Sequence, residues 1–282
     1  MLFLDDKHQL RAGWKFALYC AFFVILLFAA QVGVSFFLTR TTIDFENPLI
    51  LLGVNQIIMI PAVGAILLTI RFADHRPLRT FGIGFIPSWR RDLLCGLLLA
   101  AGMLAIVIAG CYGIAYVSMH WTATQVPARV LLATFGLLVV AALNEELIFR
   151  GFPLQLLMES IGEWPAIIGL SGVFGALHLR NPNASFLGGV NTAVAGILLS
   201  LAYARTRSLW FPYAIHVGWN VGLGFVFCFP LSGIDLASLW TTGTAGSETI
   251  VGGSYGPEGG LLATFVFASA AVLVERRKVK EP

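Results

Sequence analysis

Long apolar stretches, separated by short polar segments, recur from one end of the chain to the other. A helix needs about 20 apolar residues to cross the hydrocarbon layer of a bilayer. Only 12% of the 282 residues are charged, whereas soluble domains have about 25%. The sequence therefore predicts an all-α fold, a polytopic membrane bundle of about eight transmembrane helices. The predicted spans cover residues 14–38, 48–70, 93–119, 130 onward, 164–179, 186–204, 209–229 and 261–274.

The positions of lysine and arginine predict how the bundle is oriented. Loops on the cytoplasmic side of membrane proteins carry an excess of these residues. With a cytoplasmic N-terminus, 15 of the 18 lysines and arginines lie on the cytoplasmic side, and the other three are Arg40, Arg129 and Arg180. We therefore expect both termini to be cytoplasmic. No basic patch of the kind that binds nucleic acid is present, so the expected partner is the lipid bilayer rather than nucleic acid.

Three charged residues follow the fourth apolar stretch, within the segment Asn144–Arg150. A charge at the centre of a membrane helix costs about 2.5–3.5 kcal/mol on insertion scales, so intramembrane charges usually serve a function. Glu146 and Arg150 are four residues apart with the carboxylate first, which predicts a structural ion pair. Glu145 points about 100° away and is the carboxylate left for chemistry. The alternative is that both glutamates only cap the polar end of a span.

His178 is a candidate partner for Glu145, because the two residues are separated by a turn-like segment centred near Gly162. If antiparallel helices flank that turn, each residue lies about 16 positions, or ~24 Å, along its helix. This spacing predicts side chains that face each other at matched depth. A histidine that only bonds a neighbouring helix is the alternative.

His216 and Asn220 lie four residues apart in the seventh predicted span and therefore project from one face of a helix. Neither side chain belongs in lipid, so that face is expected to point into the bundle or a wet cavity. Simple interhelical hydrogen bonding is again the alternative. Together with Glu145 and His178, these residues supply a carboxylate, two imidazoles and a carboxamide.

This set of side chains is suited to hydrolysis of an amide. Glu145 and His178 can hold and deprotonate a water, and His216 and Asn220 can donate hydrogen bonds to the developing oxyanion. Alternatively, Glu145, His178 and His216 form a metal site, since two histidines and a carboxylate are a known catalytic zinc set. The sequence pattern does not require a cofactor. A divalent metal such as zinc is expected only if the three residues form a metal site.

Two non-enzymatic hypotheses use the same residues. Proton-coupled transporters also place Glu and His inside the membrane, so a transporter, an immunity factor or a scaffold on the same fold is an alternative to an enzyme. A metal-binding membrane sensor is a further alternative. Internal repeats, which are common in transporters, are not evident in the sequence.

Three motifs, in order along the chain, resemble those of the CPBP intramembrane proteases. They are Glu-Glu-x-x-x-Arg at residues 145–150, Phe-x-x-x-His at 174–178 and His-x-x-x-Asn at 216–220. That family includes type II CAAX prenyl endopeptidases and bacterial ABI-type proteins. The stretch before His216 also resembles the family, although Gly is more usual at the position of Arg207.

The resemblance implies an eight-helix intramembrane peptidase in which Glu145 is the activating carboxylate, His178 its partner, and His216 and Asn220 the oxyanion or ligand pair. Whether the family depends on glutamate or on a metal is disputed. The implied substrate is a peptide or a membrane-associated protein; eukaryotic relatives act on prenylated CAAX proteins.

The same resemblance suggests how one integral membrane domain is divided. Residues 1–125 contain the first three spans and a basic cytoplasmic loop, and residues 126–230 form the catalytic helical core. Residues 231–282 contain a polar outer loop, the last span and a basic C-terminal tail. The expected location is the inner membrane of a bacterial cell.

Overall fold

The computed structural model describes residues 3–38, 48–114, 116–122 and 124–277. Arg40, Lys278 and Lys280, which enter the predicted charge distribution, lie outside these ranges. In the described ranges the chain forms helices α1 (Ala12–Leu38), α2 (Pro48–Thr69), α3 (Trp89–Ile114), α4 (Ala128–Phe149), α5 (Phe152–Ile161), α6 (Glu163–His178), α7 (Phe186–Thr206), α8 (Trp210–Asn220), α9 (Glu248–Val251) and α10 (Leu261–Glu275), and strands β1 (Tyr116–Trp121) and β2 (Trp240–Ala245).

The helices make the chain a polytopic membrane protein. Within the described ranges, four helical stretches are long and apolar enough to cross a membrane: Ala12–Phe36, Trp89–Ile114, Ala128–Ile161 and Phe186–Thr206. Leu261–Glu275 is apolar but shorter. Each remaining predicted span also has a helix, but α6 has 16 residues and α8 has 11 before it changes to a π-helical turn, Val221–Val226. The helical bundle is therefore confirmed, and the count of eight spans is not.

A small antiparallel sheet corrects the all-α prediction. The third predicted span extended to residue 119, whereas α3 ends at Ile114 and the chain then enters β1. β1 pairs with β2 from Tyr116 opposite Ala245 to Trp121 opposite Trp240. The rings of Trp121 and Trp240 lie 4.7 Å apart, edge to face. Aromatic and β-branched residues favour such cross-strand pairs, and β2 lies in the segment predicted as a polar loop.

The fourth span contains a break that the hairpin argument did not anticipate. α4 ends at Phe149, and α5 begins at Phe152 after Gly151, whose φ of 59° and ψ of −114° suit glycine alone. Pro153 lies in the first turn of α5, where its ring would clash with the carbonyl of Phe149 if one helix continued. The prediction that Glu145 lies on an unbroken helix leading to the turn at Gly162 is therefore wrong.

Close helix approach fixes the two helices that carry the candidate histidines. A Cβ added at Gly175 of α6 would lie 2.8 Å from the Cβ of Ala193 in α7. Similarly, a Cβ added at Gly218 of α8 would lie 2.8 Å from the Cβ of Ala100 in α3. Small residues allow this backbone proximity, which holds α6 and α8 firmly against the bundle.

Candidate active site

A cavity of about 480 Å³ lies among α4, α6, α7, α8 and the segment before α10. Its walls are mostly apolar, with contributions from side chains such as Leu138, Leu198 and Phe267. All four residues predicted to be catalytic line this cavity: Glu145, His178, His216 and Asn220. An apolar pocket with a few convergent polar groups is the usual form of a binding or catalytic site.

Glu146 and Arg150 form the ion pair that their helical spacing predicts. Arg150 Nη1 donates to Glu146 Oε1 at 3.2 Å, and the two side chains are 1% and 0% exposed. The guanidinium also donates to the carbonyl of Gly196 at 3.3 Å and lies 4.6 Å from the ring centre of Phe174. Arg150 thereby connects α4 to α7 and α6.

His216 lies between the two neighbouring glutamates. Its Nδ1 is 2.8 Å from Glu146 Oε1, and its Nε2 is 3.7 Å from Glu145 Oε2. The ring is mostly buried, so the shorter bond fixes its orientation. The helical spacing indicated a structural role for Glu146; the structure adds a hydrogen bond that Glu146 accepts from His216, 70 positions away.

The Glu145 carboxylate faces the cavity. Its side chain is 32% exposed, and its Oε2 atom has no hydrogen-bond partner within the part of the chain that the structure describes. The 3.7 Å separation from His216 Nε2 is too long for a hydrogen bond. Oε2 is itself buried and is therefore an unsatisfied acceptor, whereas other atoms of the one-third exposed Glu145 side chain are open to the cavity.

His178 lines the same cavity from the end of α6. Its Nδ1 lies 2.8 Å from the carbonyl oxygen of Phe174, a geometry in which Nδ1–H donates and Nε2 keeps a lone pair. No hydrogen bond between His178 and Glu145 occurs among the described residues. The structure therefore brings the two residues to one cavity without pairing them directly.

Asn220 ends α8 at the point where the helix changes to the π-helical turn Val221–Val226. Such turns are frequent at functional sites, because they re-aim the side chains beside them. The carboxamide lines the cavity together with His216, one helical turn earlier. The face of α8 that the i, i+4 spacing predicted to be polar thus points into the bundle.

Several polar residues of the cavity were missed in the sequence. Asn144 and Thr192 lie at its walls, as do Asn181, Ser232 and Glu258. The missed residue with the clearest signal is Glu258: it is an acidic residue directly before an apolar helix, and it is 8% exposed. The other polar residues occur singly in sequence and have no spacing that marks them.

The side chains do not fit the metal arrangement as they stand. Within the described residues, no three His, Cys, Asp or Glu side chains are grouped closely enough to hold a metal ion. His216 and Glu145 are neighbours, and the bond between His216 Nδ1 and Glu146 leaves Nε2 as the ring nitrogen that faces Glu145. Glu145, His178 and His216 therefore do not form a three-ligand zinc site here, because such ligands lie about 2 Å from the ion.

Comparison with known proteins identifies the segment that carries the cavity. Residues 127–222 match a family model described as Rce1-like, type II CAAX prenyl endopeptidase Rce1-like. No curated protein and no solved structure matches the chain. The matched segment begins beside the first turn of α4 and ends just after Asn220, so it contains all three motifs and confirms the resemblance inferred from them. Over this segment, about a third of its length, the chain is similar to the Rce1-like type II CAAX prenyl endopeptidases.

Proposed function

We propose that the protein is an intramembrane endopeptidase in which Glu145 activates the water that hydrolyses a peptide bond. The supporting observation is the position of Glu145: its carboxylate lines an apolar cavity, one oxygen is unbonded within the described residues, and two histidines line the same space. A carboxylate placed in this way can bind a water and accept its proton. Electrostatic interactions beside apolar walls are stronger than in bulk water.

His178 is the proposed second partner of that water. Because Nδ1 is bonded to the carbonyl of Phe174, the Nε2 lone pair can accept a hydrogen bond from the water. A water held between Glu145 and His178 would account for two side chains that share a cavity without touching. His178 orients the water, and Glu145 takes the proton.

His216 and Asn220 are the proposed donors to the oxyanion. The bond to Glu146 orients the His216 ring, so that its Nε2 points to the Glu145 side of the cavity. In its doubly protonated form the ring donates from Nε2, and Asn220 donates from its carboxamide. Donors fixed in advance stabilise negative charge that develops only in the transition state.

Glu145 can carry the proton that moves during hydrolysis, from the attacking water to the leaving amine. Water loses a proton to Glu145 while its oxygen forms a bond to the carbonyl carbon, and the carbonyl oxygen becomes the oxyanion. Collapse of that intermediate breaks the carbon–nitrogen bond. The proton on Glu145 passes to the leaving amine, and the carboxylate is regenerated.

The remaining features of the proposal rest on the similarity to the family and on the distribution of lysine and arginine along the chain. The substrate is a peptide or a membrane-associated protein, with a prenylated cysteine as the lipid anchor that the apolar walls accommodate. The bundle has eight spans with both termini cytoplasmic, in the inner membrane of a bacterial cell. No metal takes part in the step.

An internally quenched peptide tests the proposal. The peptide carries a farnesylated cysteine followed by three residues, and an unprenylated copy is measured in parallel with purified protein in lipid nanodiscs. We expect cleavage by the natural chain, and loss of cleavage in Glu145→Ala and His178→Ala. His120→Ala is the matched control, because His120 is an exposed histidine on β1.

Three outcomes contradict parts of the proposal. Full cleavage by either cavity variant removes the catalytic assignment. Loss of cleavage with a chelator, restored by zinc, replaces water activation by Glu145 with the metal arrangement. Glu145-dependent flux of a solute in proteoliposomes, without cleavage of either peptide, favours a transporter.

A further inference from the structure

A second carboxylate stands in the cavity, and the proposed hydrolysis does not use it. Glu258 lies in the short turn Pro257–Gly259 just before α10, outside the family segment at 127–222. Both of its oxygens are bonded. Oε1 accepts from Trp219 Nε1 at 2.8 Å, and Oε2 accepts from the backbone N–H and the hydroxyl of Ser232 at 2.6 and 2.7 Å.

The hydrogen bonds from these three donors stabilise the Glu258 carboxylate and also fix the positions of the donors. Glu258 is 8% exposed, and a carboxylate taken out of water must recover its hydrogen bonds from the protein. The indole, the amide and the hydroxyl are neutral, so hydrogen bonding supplies the stabilisation. Removing one donor would leave an oxygen without that partner, which makes the arrangement cooperative.

The Glu258 side chain is not needed to attach its own segment to the bundle. Asn191 of α7 already donates to the main-chain carbonyls of Glu258 and Gly260, at 2.7 and 2.9 Å. Asn181 donates to the carbonyl of Ser232 at 3.1 Å. These bonds anchor the backbone to other parts of the bundle, whereas the Glu258 carboxylate extends further and bonds α8 through Trp219.

Trp219 lies in the same turn of α8 as the two proposed oxyanion donors. His216 lies three residues before it, and Asn220 follows it directly. The indole ring packs against Phe267 of α10, with ring centres 4.8 Å apart, and is 4% exposed. Directly after Asn220 the helix changes to its π-helical turn, so the Trp219 contacts are made where the regular bonding pattern ends.

We propose that Glu258 is a positioning residue for the hydrolysis. By holding the Trp219 indole, it fixes the turn of α8 that presents His216 and Asn220 to the cavity. This inference rests on the proposed function, but the bond between Glu258 and Trp219 has a structural consequence that is measurable without any substrate. It gives the segment before α10 a part in the active site that the matched family segment does not contain.

Four variants of the full chain in nanodiscs test this role. Trp219→Phe keeps an aromatic ring near Phe267 and removes the N–H donor together with part of the buried indole. Glu258→Gln removes the charge, and the third variant combines both substitutions. Glu248→Gln is the matched control, because Glu248 is an exposed carboxylate of α9 in the same outer segment.

Two readouts separate positioning from general stability. Amide hydrogen exchange over residues 216–226 is expected to rise about tenfold in each single variant, because the turn opens locally more often. With the farnesylated peptide, kcat is expected to fall between about 10- and 100-fold while KM stays within about twofold. The double variant should be no slower than the slower single variant, because both changes act on the same Glu258–Trp219 hydrogen bond, which Trp219→Phe removes and Glu258→Gln weakens. Glu248→Gln should match the natural chain in both readouts.

Unchanged exchange at residues 216–226 in Trp219→Phe and Glu258→Gln overturns the inference, as does a double variant whose kcat loss is the product of the two single losses. A kcat that falls only in proportion to the folded fraction also overturns it. Glu145→Gln, measured alongside, distinguishes the two proposals. If it cleaves normally, the proposed function fails; if it is inactive while both Trp219→Phe and Glu258→Gln are fully active, only the role of Glu258 fails.

Discussion

At the residue scale, His216 is the side chain that connects the buried and the accessible parts of the site. Glu146 holds its Nδ1 from the buried side, and Glu145 faces its Nε2 across 3.7 Å. The adjacent glutamates thus have different surroundings, because the Glu146 side chain is fully enclosed and the Glu145 side chain is one-third exposed. The 100° separation on a helix predicted that division, but not the histidine between them.

Removing Arg150 should affect stability more than chemistry. Arg150→Ala takes the guanidinium away from the buried Glu146 carboxylate and leaves the His216 ring as its remaining hydrogen-bond partner; breaking a buried ion pair costs about 3–5 kcal/mol. We expect a lower yield of folded protein and a lower thermal unfolding midpoint in detergent. Normal yield and midpoint with abolished cleavage would show that Arg150 acts in the chemistry instead.

Glu146→Gln should behave differently, because Glu146 also orients His216. Partners that orient an active-site histidine typically contribute about 10- to 100-fold, so we expect kcat to fall in that range with KM little changed. The measurement is steady-state cleavage of the farnesylated peptide. Equal kcat values for Glu146→Gln and the natural chain would mean that the Glu146–His216 bond has no catalytic consequence.

The position of Arg207 also has a physical explanation at this scale. Arg207 caps the C-terminus of α7 with φ 51° and ψ 33°, in the left-handed region that glycine adopts at little cost. Glycine is the more usual residue at this position of the resembling family, and the backbone angle accounts for it. The departure of this chain from the motif therefore concerns helix termination, not the cavity.

Arg207→Gly should stabilise the protein, because a left-handed conformation costs a non-glycine residue about 1–2 kcal/mol. Arg205→Gly is the contrasting control: Arg205 is helical and pairs with Glu163 and Glu275 at 2.7 and 2.6 Å. Thermal unfolding should show a higher midpoint for the first variant and a lower one for the second. A lower midpoint for Arg207→Gly would contradict the explanation.

At the element scale, the break between α4 and α5 determines where the motif ends. Arg150 closes α4, and Gly151 turns the chain so that α5 starts in a new direction. The apolar run alone predicts one continuous span, because hydropathy does not register a two-residue interruption. Gly151 followed by Pro153 is the local signal that could have located the break.

Gly151→Ala tests the importance of that turn. A side chain at φ 59°, ψ −114° is strained, so we expect a loss of about 1–3 kcal/mol in unfolding free energy. Gly102→Ala is the control, because Gly102 is exposed within α3 and a Cβ there meets no atom within 4 Å. Equal stability of the two variants, measured by denaturant titration in detergent, would show that the turn tolerates a side chain.

At the scale of the whole molecule, a charged cluster joins the N-terminal helices to the core. Asp74 follows α2, and its carboxylate pairs with Lys15 of α1 at 3.0 Å and with Arg76 at 2.7 Å. Arg76 also pairs with Glu159 of α5 at 2.7 Å. Burial acts to raise the pKa of Asp74, but the hydrogen bonds from Arg76 and Lys15 outweigh it and hold the pKa below its ordinary value of 3.8.

This depressed pKa predicts how stability depends on pH. A carboxylate whose folded-state pKa is lowered contributes stability above its unfolded pKa, and that contribution is lost as pH falls through the folded value. Asp74→Asn should therefore lower the unfolding midpoint at pH 7, and the gap from the natural chain should close below about pH 4. A gap that persists or widens in acid would show that Asp74 does not provide this stability.

How much of the structure can be predicted from the sequence depends on how far apart along the chain the interacting residues lie. Helices α1, α3 and α7 are predicted by length and apolarity alone, and the three motifs identify four of the polar residues that line the cavity. Contacts between distant segments, such as Glu146 with His216 and Glu258 with Trp219, leave no periodic trace in the sequence. The β1–β2 pairing is missed for the same reason, because its two strands are more than 100 residues apart.

The central claim is that the Glu145 carboxylate activates water, and the kcat of Glu145→Gln measures this most directly. Glutamine has nearly the same shape, and the carboxylate oxygen that faces His216 makes no hydrogen bond within the described residues, so the fold should be unaffected. Loss of a general base typically costs about 10²- to 10⁴-fold. We predict a kcat at least about 100-fold lower on the farnesylated peptide, with an unchanged unfolding midpoint. Cleavage at the natural rate by Glu145→Gln would contradict the account.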